Sequence, residues 1–158
     1  NLKRISTIPT SSTKMQFNPV FQYMKKNELI KEWQNRAYSN LCLCQQGKLS
    51  DDIYYEDLCF NAQQAAEKSL KSVLIYFDIE IPKTHNLTVL LNLLIQKGIV
   101  IPDTIKEVAF LNEYAVESRY PGDYYPADSE DYKEAFLLAS KVFVWAKEQC
   151  KSENIIDL

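Results

Sequence analysis

Three glycines punctuate this chain of 158 residues, and each stands where a helix would have to stop. Gly47 follows Cys44-Gln45-Gln46, Gly98 follows Ile95-Gln96-Lys97, and Gly122 follows Tyr120-Pro121. A glycine just past a helical run is a common C-terminal cap, and Pro-Gly marks a turn. No stretch between these stops alternates polar and apolar residues for long enough to read as a strand. A hydrophobic content of 46% can fill a core in a chain of one-domain length. Together these features predict an all-α domain.

The periods divide the chain further. Residues 1–26 are rich in Ser and Thr, contain Pro9 and Pro19, and lack a helical period, which predicts an N-terminal arm. Met15 and Met24 lie inside it, so part of the arm reads either as a remnant of non-native origin or as an upstream extension, and it is kept out of the fold argument. A first helix is expected from Glu28 to Gln46, with Leu29, Ile30, Trp33, Ala37, Leu41 and Cys44 as its apolar stripe. Ser50-Asp51-Asp52 offers caps for a second helix over Ile53 to Phe77. A third starts after Thr84 or Asn86 and turns Leu87, Leu90, Leu91 and Leu94 inward before Gly98. Pro102 and Asp103 open a fourth that runs to Tyr120 and stops at Pro121-Gly122. A tyrosine-rich loop then leads to a last helix from Ser129 to Cys150, with Tyr132, Ala135, Phe136, Ala139, Val142, Phe143 and Ala146 inward. The helical domain is expected over residues 27–151, followed by a short C-terminal tail at 152–158.

The densest pattern is Phe60-Asn61-Ala62-Gln63-Gln64-Ala65-Ala66-Glu67-Lys68-Ser69-Leu70-Lys71. At helical spacing Phe60, Gln64, Glu67, Lys68 and Lys71 share one side, while Leu58, Ala62, Ala65, Ala66, Ser69, Val73 and Phe77 make a face of mostly small residues that admits a close neighbour. Read for stability alone, Gln64–Lys68 and Glu67–Lys71 are i,i+4 pairs on an exposed helix.

Composition removes several classes of function. A net charge of −3 gives no general attraction to nucleic acid. The balance is uneven, +4 over residues 1–32 and −7 over the rest, so any nucleic-acid site has to be local. No run approaches the roughly 18 apolar residues that a membrane span requires, and no signal-peptide core is visible, which points to a cytoplasmic protein. Cys42 and Cys44 diverge by about 200° on a helix, and a single histidine, His85, leaves no second ligand pair for zinc. No metal and no cofactor are expected, and the four cysteines read as buried free thiols.

The Phe60–Lys71 stretch, the Lys83-Thr84-His85-Asn86-Leu87 start of the third helix and Glu117-Ser118-Arg119-Tyr120-Pro121 occur in that order. Together they resemble the HEPN family, the higher-eukaryote and prokaryote nucleotide-binding domain, over roughly residues 28–150. The resemblance implies a four- or five-helix up-and-down bundle that pairs as a homodimer around a shared cleft. It also implies a nucleotide or RNA ligand and a small nucleotidyltransferase partner, in a toxin–antitoxin-like pair or as split subunits. Many relatives are metal-independent ribonucleases whose signature is an Arg followed after four to six residues by a His. Here Arg119 matches the Arg, but Tyr124 occupies the first allowed histidine position and no histidine follows. A phenol with an ordinary pKa near 10 shuttles protons poorly at neutral pH beside an imidazole near 6.5.

The candidate site residues follow from both lines. Arg119 beside a Pro-Gly turn suits a bidentate grip on a phosphate, or an ion pair with Glu113, Glu117 or Asp123. Lys68 and Lys71 can add positive charge, and Tyr120, Tyr124 and Tyr125 can stack on a base or pack in a dimer interface. By resemblance, Tyr124 or Tyr125 is also a position for adenylate modification by the partner. Arg119, Tyr124 and His85 are the candidates for chemistry. The leading expectation is a nucleotide- or RNA-binding dimer of little or no catalytic power. The alternatives are a ribonuclease toxin with a degenerate motif and a pure dimerisation or docking module.

Overall fold

A computed structural model describes residues 19–115 and 120–151, with side chains from residue 25 onward. Five α-helices and one 3-10 segment make up the described chain, and no strand is present among those residues. The first helix, α1, covers Pro19–Gln45 and begins well before Glu28, inside the stretch expected to be an arm. Pro19 is the first described residue of α1, and a proline is compatible with the first turn of a helix, where its missing N–H needs no helical partner. The second, α2, covers Tyr55–Tyr76. The Ser50-Asp51-Asp52 segment does not cap it: the N-cap is Tyr54, with no side-chain hydrogen bond. Ser50 Oγ instead accepts from Asp52 N within the preceding turn.

Helix α2 is the centre of the bundle and packs against α1, α3, α5 and the 3-10 segment. Leu58, Ala62, Ala65, Ala66, Leu70, Val73 and Leu74 are buried around its circumference. The alanines let neighbouring helices approach closely, as their pattern implied. Ser69 Oγ donates to Ala65 O and Ser72 Oγ to Ser69 O, so both buried hydroxyls are satisfied within the helix.

The third helix, α3, is Leu87–Gln96, capped by Asn86, whose Oδ1 accepts from Thr88 N at 2.9 Å and Val89 N at 3.4 Å. Leu87, Leu90, Leu91 and Leu94 face the core, and Gly98 follows the helix end at φ +91°. Beyond it the expected single fourth helix is replaced by a short α4, Asp103–Lys106, and a 3-10 segment, Glu107–Tyr114, after which Ala115 is extended. The reason is in the spacing. Ile105, Val108 and Leu111 are buried at steps of three residues, which a 3.0-residue turn places on one line and a 3.6-residue turn does not.

The last helix, α5, covers Ser129–Gln149 and opens with a capping box. Asp128 Oδ1 accepts from Glu130 N and Asp131 N, and Asp131 Oδ2 accepts from Asp128 N. Ala135, Leu138, Ala139, Val142, Trp145 and Ala146 seal the core against α2.

Candidate functional site

The polar row of α2 is not an exposed face. Because α2 is covered on every side, Gln63, Glu67 and Lys71 are buried with it, at 0%, 3% and 7% exposure. Burying a charge is costly unless it is paired, and the pairing here is complete for Glu67. Its Oε1 accepts from Lys71 Nζ at 2.7 Å. Its Oε2 lies 2.9 Å from His85 Nδ1, with Gln64 Nε2 at 3.2 Å and Gln63 Nε2 at 3.4 Å. Burial alone would push the Glu67 carboxyl upward, but hydrogen bonds from Lys71 and His85 outweigh it and hold the group below the ordinary carboxylate value.

His85 sits in the turn before the N-cap of α3, and α2 fixes both its ring and its backbone. Gln63 Nε2 donates to His85 O at 2.9 Å, while Glu67 engages the ring. Asn112 of the 3-10 segment braces the same turn. Its Oδ1 accepts from Leu87 N at 2.7 Å, and its Nδ2 donates to Asn86 Oδ1 and Thr88 Oγ1.

Helix α1 supplies the opposite wall. Lys68 Nζ donates to Asn40 Oδ1 at 2.6 Å, and Asn40 Nδ2 donates to Asn61 Oδ1 at 2.9 Å. Burial lowers the Lys68 pKa; Glu67 opposes this, and the neighbouring charges of Arg36 and Lys71 reinforce it. Lys71 Nζ also lies 5.5 Å from the centre of the Trp33 ring. Trp33, Arg36 and Asn40 recur at helical spacing, so one stripe of α1 faces the polar row of α2.

The structure thus brings Lys68, Lys71 and His85 together around Glu67, but it does not bring the tyrosines with them. Tyr120, Tyr124 and Tyr125 are exposed on a surface turn in which Tyr120 O accepts from Asp123 N. The exit of that turn is tied to the start of α2, where Glu56 accepts from Ala127 N at 3.2 Å. Glu56 precedes Glu67 by about three turns of helix, roughly 16 Å along the axis. Arg119 lies outside the described residues.

Sequence reasoning passed over Gln63, Asn40, Arg36 and Trp33 as members of this site, and treated Glu67 only as a helix-pair partner. The signal was present: a helix apolar on most of its circumference must be central, so its polar residues must find partners inside.

Among the described residues no group of three or more His, Cys, Asp or Glu side chains is arranged to hold a metal ion. The four cysteines are free, and burial pushes the thiols of Cys44 to about 12 and Cys150 to about 11. A concavity of about 510 Å³ between α4 and α5, lined by Pro102, Ile105, Lys141, Val144, Trp145 and Glu148, contains none of the candidate residues. No described helix is long and apolar enough to cross a membrane.

A family model of the HEPN domain matches residues 30–149. The chain belongs to the HEPN family. The crystal structure of an archaeal HEPN homologue superimposes on this HEPN domain with a TM-score of 0.61 and 30% sequence identity, covering 77% of this chain and 98% of the archaeal one. No curated protein matches in sequence. The resemblance first carried by Phe60–Lys71 and Lys83–Leu87 is therefore shown over the greater part of the chain, and it includes the α2 cluster.

Proposed function

We propose that this HEPN domain, centred on residues 27–151, binds a nucleotide or RNA by its phosphates, as a homodimer acting with a nucleotidyltransferase partner. The observation that carries the reading is the α1–α2 seam, where Lys68 adds positive charge beside the Glu67–His85 pair on an otherwise acidic protein, with Arg36, ion-paired to Glu32 at 2.8 Å, at its exposed edge. A local cationic patch is what a phosphate needs when net charge offers no help. Amide side chains at Asn40, Asn61 and Gln64 stand in the same seam as donors and acceptors. Arg119 and the exposed Tyr120, Tyr124 and Tyr125 extend the reading as a second contact, a phosphate grip with aromatic surfaces for stacking.

Calorimetric titration with ATP, GTP and a short single-stranded RNA tests this. Saturable binding that weakens in Lys68→Ala and Arg36→Ala supports it. No heat with any of the three ligands removes it and leaves a docking module, in which a co-purified partner is retained without nucleotide.

A further inference from the structure

We propose that the groove between α4 and α5 is a docking site for the chain's own residues 152–158, which turn back along α5 and cover the apolar floor of the groove. The proposal is independent of the phosphate-binding reading and concerns the opposite end of the sequence from the α1 wall of the seam.

The groove is a concavity of about 510 Å³. Ile105 and Trp145 form its floor at 5% and 7% exposure, and Val144, 55% exposed, stands on its open side. Val100, two residues before the lining Pro102, is 87% exposed. Single exposed apolar residues are ordinary, but a concave apolar surface is a place where another apolar segment gains by burial. The rim is charged at two points. Lys141 and Glu148 both line it, seven residues apart on α5, which is roughly 10 Å along the axis.

The place where the chain leaves α5 points to the occupant. Ser140, Lys141, Val144, Trp145 and Glu148 share one side of α5. Lys151 comes eleven residues after Ser140, about three turns, and so returns to that side. Its N–H donates to Glu148 O at 3.3 Å, which carries the winding to this point, and its carbonyl accepts from Tyr76 Oη at 3.5 Å. The next residues lie outside the described part and read Ser152-Glu153-Asn154-Ile155-Ile156-Asp157-Leu158. Ser and Asn are turn formers, so 152–154 have the chemistry of a reversal. Three of the four residues after it are aliphatic, and in an extended run Ile156 and Leu158 share one side while Asp157 takes the other. Four extended residues span roughly 13 Å. Lys141 lies ten residues back from Lys151, roughly 15 Å down α5. The segment therefore has the reach to lay Ile156 and Leu158 on Val144, Trp145 and Ile105, and to set Asp157 at the rim beside Lys141 rather than Glu148. Tethering lowers the affinity this needs, because a short linker holds the segment at an effective concentration of roughly millimolar.

The test uses the full chain labelled with fluorotryptophan. Trp33 and Trp145 are its two tryptophans, so two fluorine resonances are expected, and Trp33→Phe assigns them. Ile156→Asp should shift the Trp145 resonance and increase its relaxation by a dissolved paramagnetic agent, while the Trp33 resonance stays in place as the internal control. Leu158→Asp should repeat the effect. Lys141→Glu should also increase the relaxation of Trp145, and adding Asp157→Lys to it should bring the relaxation back toward the wild-type value. Circular dichroism checks that each variant keeps the helical bundle. All of these differences should persist on dilution, since the contact is made within one chain. A Trp145 resonance with the same position and relaxation in the wild type, Ile156→Asp and Leu158→Asp overturns the proposal. A wild-type Trp145 signal that changes with protein concentration also overturns it and gives the groove to a second copy.

Discussion

The Glu67 side chain is 4% exposed and meets four donors, while Tyr125 stands 97% exposed on the surface turn. Both belong to segments whose residue types suit a nucleotide ligand, yet they are built for different tasks. The α2 cluster has its orientation fixed before any ligand arrives, because the bundle over-determines every polar atom of the Glu67 carboxylate. The tyrosine turn offers area without such a cradle. Preorganised groups suit chemistry and phosphate positioning, and exposed rings suit adaptable stacking or docking. A site of the first kind has to be central in the fold and is expensive to disturb; one of the second kind can be altered at little cost to stability.

That contrast can be broken most forcefully at Glu67. Replacing it with Ala leaves Lys71 buried without its partner, and denaturant unfolding should show a loss of about 3–5 kcal/mol. A loss under about 1 kcal/mol would mean that the seam is wet and the cluster ordinary. The same carboxylate gives a pH dependence with a definite sign. Its folded pKa is depressed, so its stabilisation is present above the unfolded value near 4.3 and is lost as pH falls through the folded value. Glu67→Gln should flatten that acid limb in thermal melts at pH 3–7.

Smaller effects map the edges of the cluster. Asn112→Ala removes the acceptor for Leu87 N and two donor contacts to Asn86 and Thr88, and should cost about 1–3 kcal/mol while loosening the turn that carries His85. Hydrogen exchange at Leu87 N reads the loosening directly. Asp128→Ala removes the capping box of α5, away from the cluster, and should cost about 1 kcal/mol without changing RNA affinity. Tyr125→Ala should leave stability within about 0.5 kcal/mol, yet weaken stacking-dependent RNA binding. A large stability loss there would erase the distinction between the two regions.

Much of the fold was legible because local signals agreed with tertiary ones. Asn86, Asp128, Gly98 and the leucines of α3 each behave as their positions imply. The fourth helix was misread because Ile105, Val108 and Leu111 satisfy a helical period loosely and a 3-10 period closely, and the choice is made by packing on α2 and by Asn112 reaching the α3 cap. Helix α1 covers Pro19–Gln45 and so reaches into the stretch expected to be an arm, where no helical period was read. The site was half legible. Lys68, Lys71 and His85 were singled out, but the same i,i+4 spacing that stabilises an exposed helix also serves a buried cluster, and only the central position of α2 separates the two. The α1 stripe of Trp33, Arg36 and Asn40 is distant in sequence from α2 and becomes part of the seam through packing alone.

One histidine in the chain makes the decisive measurement unambiguous. In a sample labelled with nitrogen-15 in histidine, long-range proton–nitrogen correlation spectra above the imidazole pKa report the tautomer of His85 without assignment. The account predicts the proton on Nδ1, held by Glu67, and a shift away from that single form in Glu67→Gln. A proton resident on Nε2 in the wild-type protein, or rapid averaging of both forms, would contradict the claim that Glu67 on α2 fixes the His85 ring.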